Sequence, residues 1–140
     1  MRGPMSKFPF AMRVEVRFRD LDGMGHVNNA VYFTYIEAAR TEYMMKVAGI
    51  TRLKDIDWIV ASANLNFRKA VGYGDPIEVR VRPTKIGTTS YTLYYEIWDI
   101  AKPELVAEGE TVIVSFDYSA EKKKPIDPKI RAALERDAAR

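Results

Sequence analysis

The chain has 140 residues, 47% of them hydrophobic and 29% charged, which fits one domain with one sizeable core and excludes a disordered chain. It has no cysteine, which removes disulfides, thiolate zinc sites and cysteine nucleophiles together. Its net charge of +3 falls short of the concentrated basic stripe that nucleic-acid binding asks for, although arginine and lysine would suit a ligand carrying phosphates.

Residues Met1 to Phe10 read as a loose lead-in. The stretch MRGPMSKFPFAM has neither an apolar core nor a clear cleavage site, so no signal peptide is expected. No run along the chain approaches the roughly 20 apolar residues that span a bilayer. A cytoplasmic location fits these observations. Arg13 to Phe18 (RVEVRF) alternates charge with Val14, Val16 and Phe18, the period-two pattern of a half-buried strand. A loop follows over Arg19 to Asn28, with glycines at 23 and 25.

From Asn29 the period changes. Val31, Tyr32, Tyr35, Ile36, Ala39, Tyr43 and Val47 recur every three or four residues and predict a helix. Asn28 or Asn29 can cap its start, and Gly49 can end it in the left-handed conformation. Phe33, Ala38, Met44, Met45 and Ala48 widen the apolar face, so burial on most sides is expected. Glu42 with Lys46, and Glu37 with Arg40, stand in reach for ion pairing on the polar strip.

Strands come next. Trp58 to Phe67 (WIVASANLNF) is long and mostly apolar, and VGYGDP turns the chain. Ile77 to Val81 alternates, KIGTT (Lys85 to Thr89) turns again, and Ser90 to Trp98 is aromatic and β-branched. Leu105 to Phe116 is long, with Gly109 read as a bulge. A basic loop, Glu121 to Lys124, precedes a short helix over about 128–138, with Asp127 as its cap and Pro128 in its first turn. Short turns between consecutive strands imply antiparallel pairing. One very apolar helix then needs a sheet that curls around it, and exposed sheet edges favour a partner subunit. The expectation is one α+β domain over 1–140, with a core over about 12–118.

These residues carry a resemblance. DLDGMGHVNNAVYFTYIEAAR resembles the signature of the hotdog-fold acyl-CoA thioesterases, the group that includes 4-hydroxybenzoyl-CoA thioesterase. The match is nearest to members acting on fatty acyl-CoA, where an aspartate and then His-Val-Asn precede the central helix. ASANLNFRKAVGYGDPIEVRVRPTKIGTTSYTLYYEI and LVAEGETVIVSFD extend the likeness from about Met12 to Leu134. The resemblance implies a hotdog fold, a curved and mostly antiparallel sheet around one long helix. It implies a homodimer or a dimer of dimers with active sites at the subunit interface. The substrate it implies is an acyl-CoA or an acyl-carrier-protein thioester. Asp22 matches the family's catalytic carboxylate, and the carbonyl-polarising backbone N–H maps near Asn29. CoA contacts map onto the turn Lys85, Gly87, Thr88, Thr89 and Ser90. The denser basic cluster of the hydroxybenzoyl branch is missing there, so Arg68, Lys69 and Lys122 to Lys124 are candidates for the lost charge. The plant acyl-carrier-protein thioesterases share LDxxxHVNN. Where they carry an asparagine two positions after the aspartate, this chain has Met24, and their later acidic partner falls at Ala70.

The chemistry suits these assignments. Backbone donors at a helix N-terminus are fixed and aligned with the helix dipole, so they stabilise a developing oxyanion. Gly23 and Gly25 let the backbone approach a ligand closely. Asp22 attacks the carbonyl directly, giving a mixed anhydride, or activates a water; the residues leave both routes open. Asp20 reads as a turn or cap residue. His26, the chain's single histidine, is a base, or a residue that orients Asp22 or a water, or a hydrogen-bonded structural group. Glu37 reads first as the ion partner of Arg40 and second as a catalytic candidate, since other hotdog thioesterases use a helix glutamate. One histidine and no HxxxH or CxxC spacing imply no metal site, and no cofactor is expected. The alternatives are a hotdog enoyl-CoA hydratase or dehydratase, and a non-catalytic acyl-CoA-binding domain.

Overall fold

The structure, a computed structural model, describes residues 7–140. Residues 1–6 of the expected lead-in lie outside it. The elements in chain order are β1 (Phe10–Val14), α1 (Asn29–Ala48), β2 (Trp58–Phe67), β3 (Ile77–Ile86), β4 (Ser90–Asp99), β5 (Glu104–Asp117), β6 (Lys122–Lys123) and α2 (Pro128–Ala138). Short 3-10 turns stand at Phe18–Asp20 and Leu53–Asp55. The strands form one antiparallel sheet in the order β1-β3-β4-β5-β2, with β6 clipped onto β5. This is the expected α+β hotdog arrangement of a curled sheet around one long helix. Among the described residues no helix is long and apolar enough to cross a membrane.

The bounds of α1 follow from its caps. Asn28 accepts a hydrogen bond from the Ala30 N–H at 2.9 Å through its side chain, which satisfies one of the donors that a helix start leaves unpaired. Gly49, at φ +70°, ends the helix, a backbone conformation that costs a residue with a side chain more than it costs glycine. The helix buries Tyr32, Tyr35, Ile36, Ala39, Arg40, Tyr43 and Met44. These meet Val79, Val81, Leu93, Tyr95, Ile97 and Ile113 from the sheet, and each large side chain so buried is worth about 1.5–3 kcal/mol. α2 starts at Asp127, which caps Lys129, and closes on α1 where the Tyr43 hydroxyl donates to Asp137 Oδ2 at 2.7 Å.

Three expectations need correction. The first strand runs over Phe10–Val14, not Arg13–Phe18. Asp20 takes the Arg17 backbone N–H at 2.9 Å and binds its guanidinium, which curls Phe18–Asp20 away from the sheet and leaves Phe18 80% exposed. Gly109 is not a bulge. The extra residues sit at Ala61, Thr84 and Val106, whereas Gly109 pairs in register with Leu65 and Tyr95. It is glycine because a Cβ there would lie 2.0 Å from the Asn64 carbonyl oxygen. Finally, α1 is not covered on most sides. Ala30, Phe33, Thr34 and Glu37 form an exposed strip. The bulge at Ala61 keeps Trp58, Val60, Ala63, Leu65 and Phe67 on the inner face of β2, where Val60 and Phe67 are 42% and 41% exposed.

Candidate active site

The loop from Arg19 to Asn28 is held at both ends. Leu21 bridges to Val27 and His26 to Gly72, and the Val27 N–H donates to the Val71 carbonyl at 2.8 Å. Asp20 anchors the base of the loop. It is 1% exposed and accepts from the Arg17 backbone and guanidinium and from the Tyr35 hydroxyl at 2.8 Å. Burial pushes its carboxyl up, but these donors outweigh that and hold it below the usual aspartate range. The turn assigned to Asp20 from sequence is the observed one.

Asp22 is held differently. Its Oδ1 accepts from the Met24 N–H at 2.9 Å and the His26 N–H at 3.2 Å, a local turn that fixes the carboxylate plane. Its Oδ2 has no partner among the described residues. Gly25 sits at φ +81°, which lets the chain reverse between these two donors. Beyond the loop, the Asn28 side chain caps Ala30 and leaves the Asn29 N–H without an acceptor among the described residues.

Asp22, His26 and Asn29 line one cleft of about 290 Å³ with Tyr32, Phe67, Arg68 and Lys69. The two residues that carry an unpaired carboxylate oxygen and an unpaired helix-start N–H therefore line the same cleft. A larger cleft of about 420 Å³ lies between Arg13–Val16 and Tyr73–Pro76 and holds none of the residues singled out from sequence. Chemistry, not size, selects the smaller one. From the sequence Tyr32 reads only as one of the apolar positions of the helix. It stands one helical turn after Asn29, so the same spacing that buries its ring aims it at the cleft. Burial first, and then the charges of Asp22 and Asp75, push its phenol up to about 12, which keeps it a proton donor at neutral pH.

Most of the other expected residues lie away from the cleft. Gly25 shapes the loop and does not line the cleft. Glu37 is on the exposed strip of α1, 3.9 Å from Arg40. Arg68 and Lys69 line the cleft but are already paired. Arg68 forms a two-pronged bond with Glu108 at 2.8 and 2.9 Å, and Lys69 lies 3.4 Å from Glu104. The turn Lys85–Ser90 is folded against the C-terminal segment, where its carbonyls accept from Ser115, Ile126 and Arg131. Ser90 is level with Val114 on β5, whereas Phe67 at the cleft is level with Ala107 and Ile97. Seven residues of strand separate those levels, about 24 Å.

A sequence model described as the thioesterase-like superfamily matches residues 16–134. The chain belongs to the thioesterase-like superfamily. The activity that goes with that membership is hydrolysis of a thioester. A thioesterase of Thermus thermophilus, solved with coenzyme A and Zn, superposes with a TM-score of 0.85 at 31% identity, covering 97% of this chain and 98% of that one. The uncharacterized protein YsmA of Bacillus subtilis (strain 168) is 31% identical over 64% of this chain, a match that spans only 61% of its own length. The long-chain acyl-CoA thioesterase FadM of Escherichia coli (strain K12) is 24% identical over 88% of this chain and 95% of its own. Among the described residues of this thioesterase-like chain, no group of three His, Cys, Asp or Glu side chains could hold a metal ion.

Proposed function

We propose that the chain hydrolyses acyl-CoA thioesters to the free acid and CoA, with Asp22 as the catalytic carboxylate and the Asn29 backbone N–H as the oxyanion donor. The observation that supports this reading is that Asp22, whose Oδ2 is unpaired, and Asn29, whose N–H at the start of α1 is unpaired among the described residues, line one cleft. A thioester carbonyl whose oxygen meets that N–H gains charge stabilisation as the carbon turns tetrahedral, because the donor is fixed before reaction and lies at the positive end of the helix. Asp22 is oriented by the two N–H groups on Oδ1, and its Oδ2 attacks the carbonyl carbon or takes a proton from an attacking water. If Oδ2 attacks, CoA leaves as the thiolate and water then hydrolyses the acyl–aspartyl anhydride to the acid and the free carboxylate. If Oδ2 takes the proton, water adds to the carbonyl and CoA leaves from the tetrahedral adduct as the thiol. The Tyr32 hydroxyl, kept protonated, is available to hydrogen-bond the carbonyl or the water. His26 contributes its backbone to the Asp22 turn and its ring to the cleft wall.

The working unit in this reading is a homodimer. β2 is an edge strand of ten residues with no charge and no proline to discourage pairing. If β2 pairs antiparallel with its own copy, the far end of the partner's sheet is carried to the cleft end of this one. The turn Lys85 to Ser90 of the partner subunit then approaches the cleft, and it offers the donors for CoA that Arg68 and Lys69 no longer have free. Activity against fatty acyl groups, use of CoA over an acyl-carrier protein, and a cytoplasmic location belong to the same proposal.

The test is release of free thiol from a panel of saturated, branched and aromatic acyl-CoAs, with hydration of crotonyl-CoA measured in the same samples. The reading expects hydrolysis of at least one class of acyl-CoA and no hydration. Hydration without thiol release would make the chain a hydratase, and neither reaction would leave an acyl-CoA-binding protein.

A further inference from the structure

A third cleft, of about 310 Å³, lies between the two helices. The Tyr43 hydroxyl meets Asp137 there, and Lys129 lies beside Gly49, so α2 runs antiparallel to α1. Pro9, Tyr43, Val47 and Ala133 supply an apolar lining, and Tyr43 and Ala133 are buried. The rim is cationic. Lys46 comes from α1, Arg136 from α2 and Arg140 from just beyond α2, and all three are exposed.

These cations are in excess of their local anions. Asp137 is the one carboxylate side chain that lines the cleft, against three cations, so two positive charges are left over. Asp137 is also engaged already. Its Oδ2 accepts from Tyr43 at 2.7 Å, and its Oδ1 lies 3.9 Å from Arg136 Nε. Lys46 and Arg140 form no ion pair with a described residue, and the expected pairing of Glu42 with Lys46 is not made. Residues 1–6, MRGPMS, contain no acidic side chain that could pair with them. Helix ends explain part of the pattern. The negative end of α2 favours bases near its last turn, which suits Arg136 and Arg140. At the end of α1, Lys129 already stands beside Gly49, and Lys46 is the cation added to it on the cleft side.

We propose that this cleft binds a small organic anion, a carboxylate or phosphate head on a short apolar tail, with the head held by Lys46 and Arg140 and the tail laid against Tyr43, Val47 and Ala133. A bare ion would use the rim and leave the apolar lining wet. A neutral apolar molecule would use the lining and leave the cations unmatched. Only a ligand with both parts meets both halves of the cleft. The volume matches about ten waters at about 30 Å³ each, which admits a tail of about eight carbons and excludes a whole acyl-CoA. From Asn29 to Lys46 the helix rises about 25 Å, so this site is separate from the Asp22 cleft and does not depend on the thioesterase reading.

The test is a titration of the ¹⁵N-labelled full chain, followed by amide chemical shifts, with octanoate, octyl phosphate, octylamine and inorganic phosphate at low salt. Octanoate, octyl phosphate or both should shift the amides of Tyr43–Val47 and Ala133–Arg140 and saturate; which of the two binds tighter names the head group. Lys46→Met and Arg140→Met, both at exposed positions, should each raise the dissociation constant about tenfold while the unbound spectrum stays folded. Added salt should weaken binding in the same direction. Four results overturn the proposal: no saturable shift with either amphiphilic anion, shifts confined to the Asp22–Asn29 loop, octylamine binding as tightly as octanoate, or inorganic phosphate binding as tightly as octyl phosphate. Indifference to both Met variants overturns it as well. Thiol release from acyl-CoA is read separately, so failure here leaves the proposed hydrolysis standing.

Discussion

Asp20 and Asp22 stand two residues apart in one loop and are held in opposite ways. Asp20 is sealed under the loop, its oxygens taken by Arg17 and Tyr35. Asp22 is exposed at the loop's mouth, with one oxygen tied to two backbone N–H groups and the other unpaired. Saturated hydrogen bonding and burial make the first carboxylate a rivet. Partial saturation gives the second a fixed direction and leaves it a lone pair to use. The contrast extends to the flanks of the sheet. β1 and β3 are covered by the helices, whereas β2 leaves one edge and part of its inner face open beside the cleft.

That contrast can be broken in several ways. The largest effect is expected at the reactive end. Asn29→Pro removes the N–H at the first helical position, where proline is well tolerated, and Asn28 already has the extended backbone (φ −63°, ψ 136°) that precedes proline. Circular dichroism and melting temperature should stay near wild type while kcat falls by about 100- to 1,000-fold, the cost of one oxyanion donor. An unchanged kcat would remove this N–H from the reaction.

At the structural end, Asp20→Ala leaves the buried Tyr35 hydroxyl without its acceptor and should cost about 1–3 kcal/mol in urea unfolding, since the exposed Arg17 is resolvated. The activity of the folded fraction should stay within a few-fold. The pH dependence has a definite sign. The Asp20 carboxyl sits below its ordinary value in the folded protein. Its contribution is therefore present above the unfolded carboxylate value and is lost as pH falls through the folded one. Asp20→Asn should lose less stability on acidification than wild type, and equal acid sensitivity would show that Asp20 is not a rivet.

Between the two carboxylates, Gly25→Ala strains a φ of +81° where a Cβ meets no neighbouring atom, so the loss should be backbone strain alone, about 1 kcal/mol. Tyr32→Phe should have the smallest effect, a few-fold in kcat with little change in stability, because the hydroxyl has no partner among the described residues. A thousandfold loss there would move Tyr32 to the centre of the chemistry.

Much of this was legible in the sequence, for physical reasons that are local. The helix over Asn29–Ala48 is bounded by Asn28 and Gly49, whose effects act within a turn. The loop's aspartates, glycines and asparagines announce tight turns and a helix start. What was not legible depends on contacts made at a distance. RVEVRF alternates like a strand, but Asp20 pulls Arg17 into a turn that no period reveals. Gly109 reads as a bulge until the Asn64 carbonyl is found where its side chain would be. Arg68 and Lys69 look available for phosphates until Glu108 and Glu104 are seen across the strand. Arg40 reads as part of the polar strip of α1, and only the fold shows it buried.

The central claim is that the free oxygen of Asp22 performs the hydrolysis. Its most direct test is the rate of thiol release by Asp22→Asn, with equal folded protein verified by unfolding, on the best acyl-CoA of the wild type. Asparagine keeps the shape and can still accept from the Met24 and His26 N–H groups, but it is neither nucleophile nor base. A fall of about 1,000-fold in kcat with an unchanged melting temperature is the predicted result. A rate within a few-fold of wild type would contradict it and return the reaction to His26 or to another group.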